Sequence, residues 1–322
     1  MPGILTLGEM LVEVMRKVRD VPFNVPGEFI GPYPSGAPAI FADAVAKLCF
    51  PSAIIGVVGD DEFGMLILDR LKGDGVDVSH VRVLRNYLTG IAFISYFSSG
   101  SRRFIFHLKH SASSKLSPKH VDENYISQFE HLHIMGSTLS IGRSVREACY
   151  KAAEIAYSNG ASISLDPNVR LELISPQKFR EVCRPIISKA SIILPNVEEI
   201  KVLTGIKNID LACRSMLNGR VKVIAVKMGS SGSIVYYGGE REHIPAFKVE
   251  EVDPTGAGDT YDAAFIVGFL KGWSPEKAGY YANAAGALAV TKFGPMEGCP
   301  TNSEILEFIG RERPEILKMF KT

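Results

Sequence analysis

From about residue 130 the chain alternates short apolar runs with longer amphipathic stretches, which restricts it to βαβ units around a mainly parallel sheet. His131–Met135, Ser162–Leu165, Ser191–Leu194 and Lys222–Val226 read as strands. Arg143–Ser158, Gln177–Lys189 and Glu198–Thr204 read as the helices between them, each bounded by Gly, Pro or Asn. Right-handed crossovers are the default for such units, so the expected fold class is α/β.

The first 110 residues follow another pattern. Ala53–Val58 reads as a buried strand, whereas Ile91–Phe97 and Arg103–His107 are extended segments joined by Ser98-Ser99-Gly100-Ser101, a hairpin signal. Ile91, Phe93 and Phe97 fall on one face of the first segment and Ala92, Ile94 and Tyr96 on the other, so both faces need cover. An ordinary interior strand would satisfy this. So would a small β-lid covered by the main body on one side and by a ligand or a second subunit on the other, and a homodimer through the lid is expected on that reading. In the C-terminal third, Asp259–Lys271 is apolar almost all round, as a buried helix is. A second helix starts at Ser274-Pro275, carries Ala278, Tyr281, Ala282, Ala285 and Leu288–Ala289, and stops before Gly294-Pro295. Its small residues predict a backbone element lying close.

Composition bounds the partners. The 322 residues carry 36 basic and 35 acidic side chains, a net charge of +1, without the basic footprint that nucleic-acid binding usually leaves. The expected partner is a small molecule. No stretch reaches the roughly 18 apolar residues of a membrane span, and the first residues lack a basic region followed by a long apolar one, so neither export nor membrane insertion is expected. Five scattered cysteines without a C-x-x-C pair predict reduced, mostly buried thiols and a cytoplasmic protein.

The segment that carries chemistry is Val252-Asp253-Pro254-Thr255-Gly256-Ala257-Gly258-Asp259-Thr260-Tyr261. Two glycines around one alanine let backbone N–H groups converge at the positive end of a helix, which makes an anion hole. A carboxylate at Asp259 would repel a phosphate but is apt where a proton must be removed beside a phosphoryl group. The helix N-terminus should keep it ionised. The plainer alternative is a helix cap after an ordinary turn.

The string D-P-T-G-A-G-D-T closely resembles the C-terminal signature of the ribokinase-like (PfkB-type) carbohydrate kinase family, and further segments in order extend the resemblance along the chain. They are Gly8-Glu9-Met10-Leu11-Val12-Glu13, similar to the family's first strand; Pro34-Ser35-Gly36-Ala37-Pro38-Ala39, its sugar-binding turn; and Gly56–Gly64 followed by Gly75-Val76-Asp77. Then come Asp166-Pro167-Asn168-Val169-Arg170, Pro195-Asn196-Val197-Glu198-Glu199, Lys227–Gly232 and Ala282–Ala287. The resemblance implies a single ribokinase-like domain over residues 1–322, a three-layer α/β/α body with a β-sheet lid formed by segments about 10–33 and 88–109. It implies an ATP-dependent sugar kinase in which Asp259 is the general base and the N–H groups of Gly256, Ala257 and Gly258 stabilise the transferring phosphoryl.

By the same resemblance Glu13, Gly36, Ala37 and Arg170 would bind the sugar, and Asn196 and Glu199 would organise Mg²⁺ through water. Lys227, Gly229, Ser230, Gly232 and Asn283 would line the ATP side. Asp253 and Thr255 resemble part of a monovalent-cation site, of potassium type. Read without the resemblance, Asn196 and Glu199 are a capping-box pair, Arg170 a surface ion-pair partner, and Asn283 a packing hydrogen bond. Arg103, Phe106 and His107 on the second lid strand are suspected of reading the substrate, or form a solvated lid edge.

The chain departs from the family pattern at three places. Ile40 stands where the sugar turn usually has asparagine, Glu13 where it has aspartate, and Gly294–Pro300 offers no hydroxyl to a cation, which puts a potassium requirement in doubt. Gly31–Phe41, Arg103–His107 and Met135–Ser140 look most like tagatose or fructose kinases, implying transfer to a primary hydroxyl of a ketohexose; a 2-keto-3-deoxygluconate kinase is the alternative. A non-catalytic sugar-binding regulator is the alternative of a different class. The chain has no G-x-G-x-x-G dinucleotide fingerprint, Walker G-x-x-x-x-G-K-[ST] or G-x-S-x-G, and His131 and His133 read as core or edge residues.

Overall fold

The structure, a computed structural model, describes residues 3–99, 101–217 and 219–320. Gly100 of the predicted hairpin turn and the first two residues lie outside the described residues. In chain order the strands are β1 (Ile4–Gly8), β2 (Leu11–Arg16), β3 (Phe29–Ser35), β4 (Ser52–Gly59), β5 (Val81–Leu84), β6 (Gly90–Tyr96), β7 (Arg102–His107), β8 (His131–Met135), β9 (Ser162–Asp166), β10 (Ile192–Ile193), β11 (Val223–Lys227), β12 (Ser233–Tyr237) and β13 (Glu240–Ile244).

Nine of them form one sheet in the order β13-β12-β11-β10-β9-β8-β1-β4-β5. Pairing is parallel from β11 to β5, and β12 and β13 extend the edge antiparallel. Both faces of the inner strands are covered, which is why β1, β4 and β11 are largely apolar, whereas the edge strands β5 and β13 are partly exposed. Along β4, Ala53, Ile55 and Val57 enter one core and Ile54 and Val58 the other. Helices Arg143–Ser158, Pro176–Ile187, Val197–Thr204 and Ile209–Met216 pack on the first side. Helices Ala37–Lys47, Glu62–Gly73, Ala257–Leu270, Pro275–Ala289 and Asn302–Glu312 pack on the second. The result is the three-layer α/β/α body.

The helix Ala257–Leu270 lies fully inside its layer: Phe265, Ile266 and Val267 are completely buried, each worth about 1.5–3 kcal/mol of transfer free energy. The small residues of Pro275–Ala289 let it approach closely. A Cβ on Gly268 would stand 3.1 Å from that of Ala278, and one on Gly279 would overlap Ile244 Cδ1 at 2.1 Å. β10 is shorter than the predicted Ser191–Leu194, although the Ser191 and Leu194 N–H groups still donate to the Ile163 and Leu165 carbonyls of β9.

β3, β2, β6 and β7 form a separate four-stranded lid. The segment Gly8–Glu13, expected as one strand, is divided between the two sheets. Gly8 ends β1 at φ 154, where a Cβ would sit 2.3 Å from Thr138 Oγ1, and the chain turns so that Glu13 belongs to β2. Leu11, Met15, Ala92, Ile94, Tyr96, Phe104 and Phe106 lie on the inner lid face and pack in two small clusters over the body. The outer face carries Phe93, Ile105 and His107. The chain's own segment from Lys17 to Glu28 partly crosses it, anchored where the Ser95 hydroxyl donates to the Val21 carbonyl at 2.7 Å. No helix among the described residues is long and apolar enough to cross a membrane.

Candidate active site

A cleft of about 390 Å³, its open mouth included, lies between the lid and the carboxyl ends of β1, β8 and β9. Such ends are where open α/β sheets bind ligands. Glu9 follows β1, Ser137 follows β8, and Asn168 and Arg170 follow β9; the lid closes over them with Leu11, Glu13, Phe104, Phe106 and Leu108. Gly36 and Ala37 complete the wall. Gly36 has φ 108 and touches the backbone of Glu9, where a Cβ would be 2.4 Å from the carbonyl oxygen.

Asp259 sits in the first turn of the helix Ala257–Leu270, buried, with Asn168 Nδ2 at 3.4 Å from Oδ1. The two glycines before it have different reasons. Gly256 is left-handed at φ 79, and a Cβ would overlap the Pro295 carbonyl oxygen at 2.1 Å, so the turn itself demands glycine. A Cβ on Gly258 would meet only Lys227 Nζ at an ordinary 3.7 Å. The protein does not require glycine there, whereas a ligand approaching the backbone would. Ala257 and Gly258 are part-exposed and open the helix, where backbone N–H groups lack intrahelical acceptors and can face an anion.

The expectation that the helix end keeps Asp259 ionised is corrected. Burial, and then the nearby Asp166 carboxylate, push its carboxyl up to about 8 against the pull of Lys227 and Arg170. Enclosure beneath the lid outweighs the helix terminus.

Lys227, next to Gly258 of the anion hole, is also part of an internal cluster. Its ammonium is 3.2 Å from Asp166 Oδ2 and 2.9 Å from both oxygens of Asp262. Asn196 and Glu199 make the complete capping box that was their alternative reading. Glu199 Oε2 accepts from the Asn196 N–H at 2.8 Å, while Oε1 accepts from the Val169 N–H at 3.1 Å and so ties the D-x-N-x-R loop to this helix. Asp166, Glu199, Asp259 and Asp262 crowd around one lysine and Arg170, and burial with Asp166 raises the Glu199 carboxyl as well. That excess of negative charge beside the anion hole fits a divalent cation held through water.

The second lid strand shows a one-residue correction. Arg103 shares the outer face with Ile105 and His107, its guanidinium 5.2 Å from the Phe97 ring. Arg102 takes the inner face with Phe104 and Phe106, and its charge acts on Glu13. Phe104 and Phe106 stack in parallel at 5.3 Å, with the Arg102 and Arg170 guanidiniums each 5.8 Å from the Phe104 ring. Glu13 is buried, which pushes its carboxyl up to about 7, and its Oε2 has no partner. Sequence reasoning missed Arg102 and Glu9. Glu9 accepts from the Ser137 and Thr138 hydroxyls at 2.6 and 2.5 Å.

Gly229, Ser230 and Gly232 form a turn after β11. Gly232, at φ 91, has the Ile244 carbonyl oxygen 2.1 Å from where a Cβ would stand. Asn283 donates to that carbonyl at 2.9 Å, the packing hydrogen bond that was its alternative reading.

Asp253, of the implied cation site, has its carboxylate compensated by protein donors. Asp253 Oδ1 accepts from the Tyr96 hydroxyl at 2.9 Å and the Thr255 N–H at 3.0 Å, and Oδ2 accepts from the Gly294 N–H at 3.0 Å. Three donors already surround the carboxylate. His131 and His133 are buried and bonded to Ser162 and Ser164, as core residues.

Comparison with known proteins identifies relatives of the whole chain. Residues 1–302 match the pfkB family carbohydrate kinases. Fructokinase-1 of Zea mays is 33% identical over 315 residues, covering 95% of this chain and 97% of that protein. An E. coli protein described as a candidate ribokinase II, crystallised with ATP and Mg²⁺, superposes with a TM-score of 0.91 at 42% identity, covering 97% of this chain and 100% of that one. A Vibrio cholerae fructokinase variant crystallised with fructose, ADP and potassium shares the fold, with a TM-score of 0.83 at 24% identity and coverage of 96% and 98%. The fold, the glycine turn leading into Asp259 and these matches place the chain in the pfkB family of carbohydrate kinases.

Proposed function

We propose that this carbohydrate kinase transfers the γ-phosphoryl group of Mg-ATP to a primary hydroxyl of a ketohexose of the fructose or tagatose type. The observation that carries the reading is Asp259, which accepts from Asn168 of the cleft lining and stands in the same first helical turn as Ala257 and Gly258. Asp259 takes the proton of the attacking hydroxyl, and the backbone N–H groups of Gly256, Ala257 and Gly258 stabilise charge on the transferring group. Glu9, Glu13 and Asn168 accept hydrogen bonds from sugar hydroxyls; Asn168 Oδ1 and Glu13 Oε2 are buried acceptors with no protein partner. Phe104 and Phe106 cover the C–H face of the sugar. Mg²⁺ would be held near Asn196 and Glu199 through water, where it neutralises phosphate charge. Gly229, Ser230 and Gly232 line the ATP side, with Asn283 holding their neighbour Ile244. The fructokinases at about a third identity support the ketohexose reading.

One observation favours a second reading, a sugar acid such as 2-keto-3-deoxygluconate. Arg170 donates to the Val169 carbonyl at 3.2 Å and, among the described residues, neither it nor Arg102 is paired with a carboxylate. A coupled ATP-consumption assay across fructose, tagatose, 2-keto-3-deoxygluconate, ribose and nucleosides decides between them. Turnover of a neutral ketohexose supports the first reading and preference for the acid the second. Sugar binding without turnover would make the protein a regulator.

The outer lid face, with Phe93, Ile105 at 43% and Phe29 at 39% exposure, is read as the contact of a homodimer. The free cysteines, four of five buried, accord with a reducing, cytoplasmic setting.

A further inference from the structure

Strand β6 ends on Tyr96, and this side chain links three parts of the molecule that are far apart in sequence. Its hydroxyl donates to Asp253 Oδ1 at 2.9 Å and accepts from Thr255 Oγ1 at 2.8 Å. Asp253 and Thr255 lead directly into Gly256. The other oxygen of Asp253 accepts from Gly294, in the loop whose Pro295 carbonyl abuts Gly256. Tyr96, Asp253 and Thr255 are all at least nine-tenths buried.

A buried carboxylate needs compensation, either from a cation or from hydrogen-bond donors. At Asp253 the Tyr96 hydroxyl, the Thr255 N–H and the Gly294 N–H supply that compensation. We infer that the Tyr96 hydroxyl replaces a monovalent cation at Asp253. It compensates the carboxylate, fixes the loop that aims the Gly256–Gly258 N–H groups, and ties lid strand β6 to the anion hole, so turnover does not depend on potassium. Tyr96 is a positioning residue. This rests on the kinase reading given under the proposed function.

The test compares wild type and Tyr96→Phe in potassium chloride and in choline chloride of equal ionic strength, reading kcat, sugar KM and Tm. Wild type should show the same kcat and Tm in both salts. Tyr96→Phe should lose about tenfold in kcat in choline, equivalent to about 1.4 kcal/mol, with sugar KM changed much less, and should recover part of that in potassium. Its Tm should also rise selectively in potassium, as binding to the folded state requires. A wild type that needs potassium, or a variant whose loss is equal in the two salts, overturns the inference. If no sugar is turned over, the kinase reading fails on its own and the Tm comparison decides this one: a potassium-specific Tm rise in wild type overturns it. If the variant does not fold, wild-type kcat and Tm in the two salts decide the matter by the same criteria.

Discussion

The Lys227 ammonium lies 2.9 Å from each carboxylate oxygen of Asp262, one helical turn beyond Asp259. It thereby sits behind the proposed base and shares its charge with Asp166 at 3.2 Å. Asp259 feels all of these: Asp166 raises its proton affinity, Lys227 and Arg170 lower it, and Glu13 across the cleft raises it.

A general base works deprotonated, so kcat/KM of the free enzyme should rise with pH towards a plateau set by Asp259 near 8. Asp262→Asn leaves the lysine less neutralised and should move that limb to lower pH. Lys227→Met should move it higher, and should also destabilise by about 3–5 kcal/mol, because it strands buried carboxylates. A pH–rate profile of the three proteins checks both directions.

Arg102 and Arg103 separate the two lid faces. Arg102→Ala should raise sugar KM about tenfold, roughly 1.4 kcal/mol, while Arg103→Ala should leave it nearly unchanged. Steady-state kinetics with the preferred sugar distinguishes this from the reverse order.

The parity of this strand was not legible in the sequence, for a physical reason. Arg102–His107 has large side chains at every position, and a one-residue slip exchanges the faces without an obvious loss of pattern. Other features were plain. The helix Arg143–Ser158 shows its bounds through Gly142 and Asn159-Gly160, and the glycine turn before Asp259 needs conformations that few residues allow. The division of Gly8–Glu13 between two sheets depends on Thr138, more than a hundred residues away. The Lys227 cluster likewise joins residues 35 and 61 positions apart. Spacing alone could show that Asp259 begins a helix, but not that a lid and a second carboxylate would raise its proton affinity.

Glu13 ties stability to pH. Burial raises its carboxyl from the ordinary value to about 7, so the folded state holds its proton through a window in which the unfolded chain has released it. Its contribution is present below about pH 4 and is lost as pH rises through 7. Glu13→Gln has no charge to bury, so its stability relative to wild type should increase by a few kcal/mol between pH 4 and 8. Denaturant midpoints across that range measure the difference; a flat difference would show that the carboxylate is solvated in the folded protein.

The lid contact is tested by oligomeric state. Wild type should run as a dimer by light scattering, and Phe93→Asp or Ile105→Asp should give monomers, because a charge placed within an apolar interface must be desolvated. A monomeric wild type would remove the outer lid face from any self-association.

Whether Asp259 is the base is read from the single-turnover rate of Asp259→Asn with Mg-ATP and the preferred sugar, alongside binding of both substrates. Both should still bind, while phosphoryl transfer slows by at least about 10²-fold, the low end for losing a general base. Transfer at the wild-type rate would contradict a role for this carboxylate in the proton transfer.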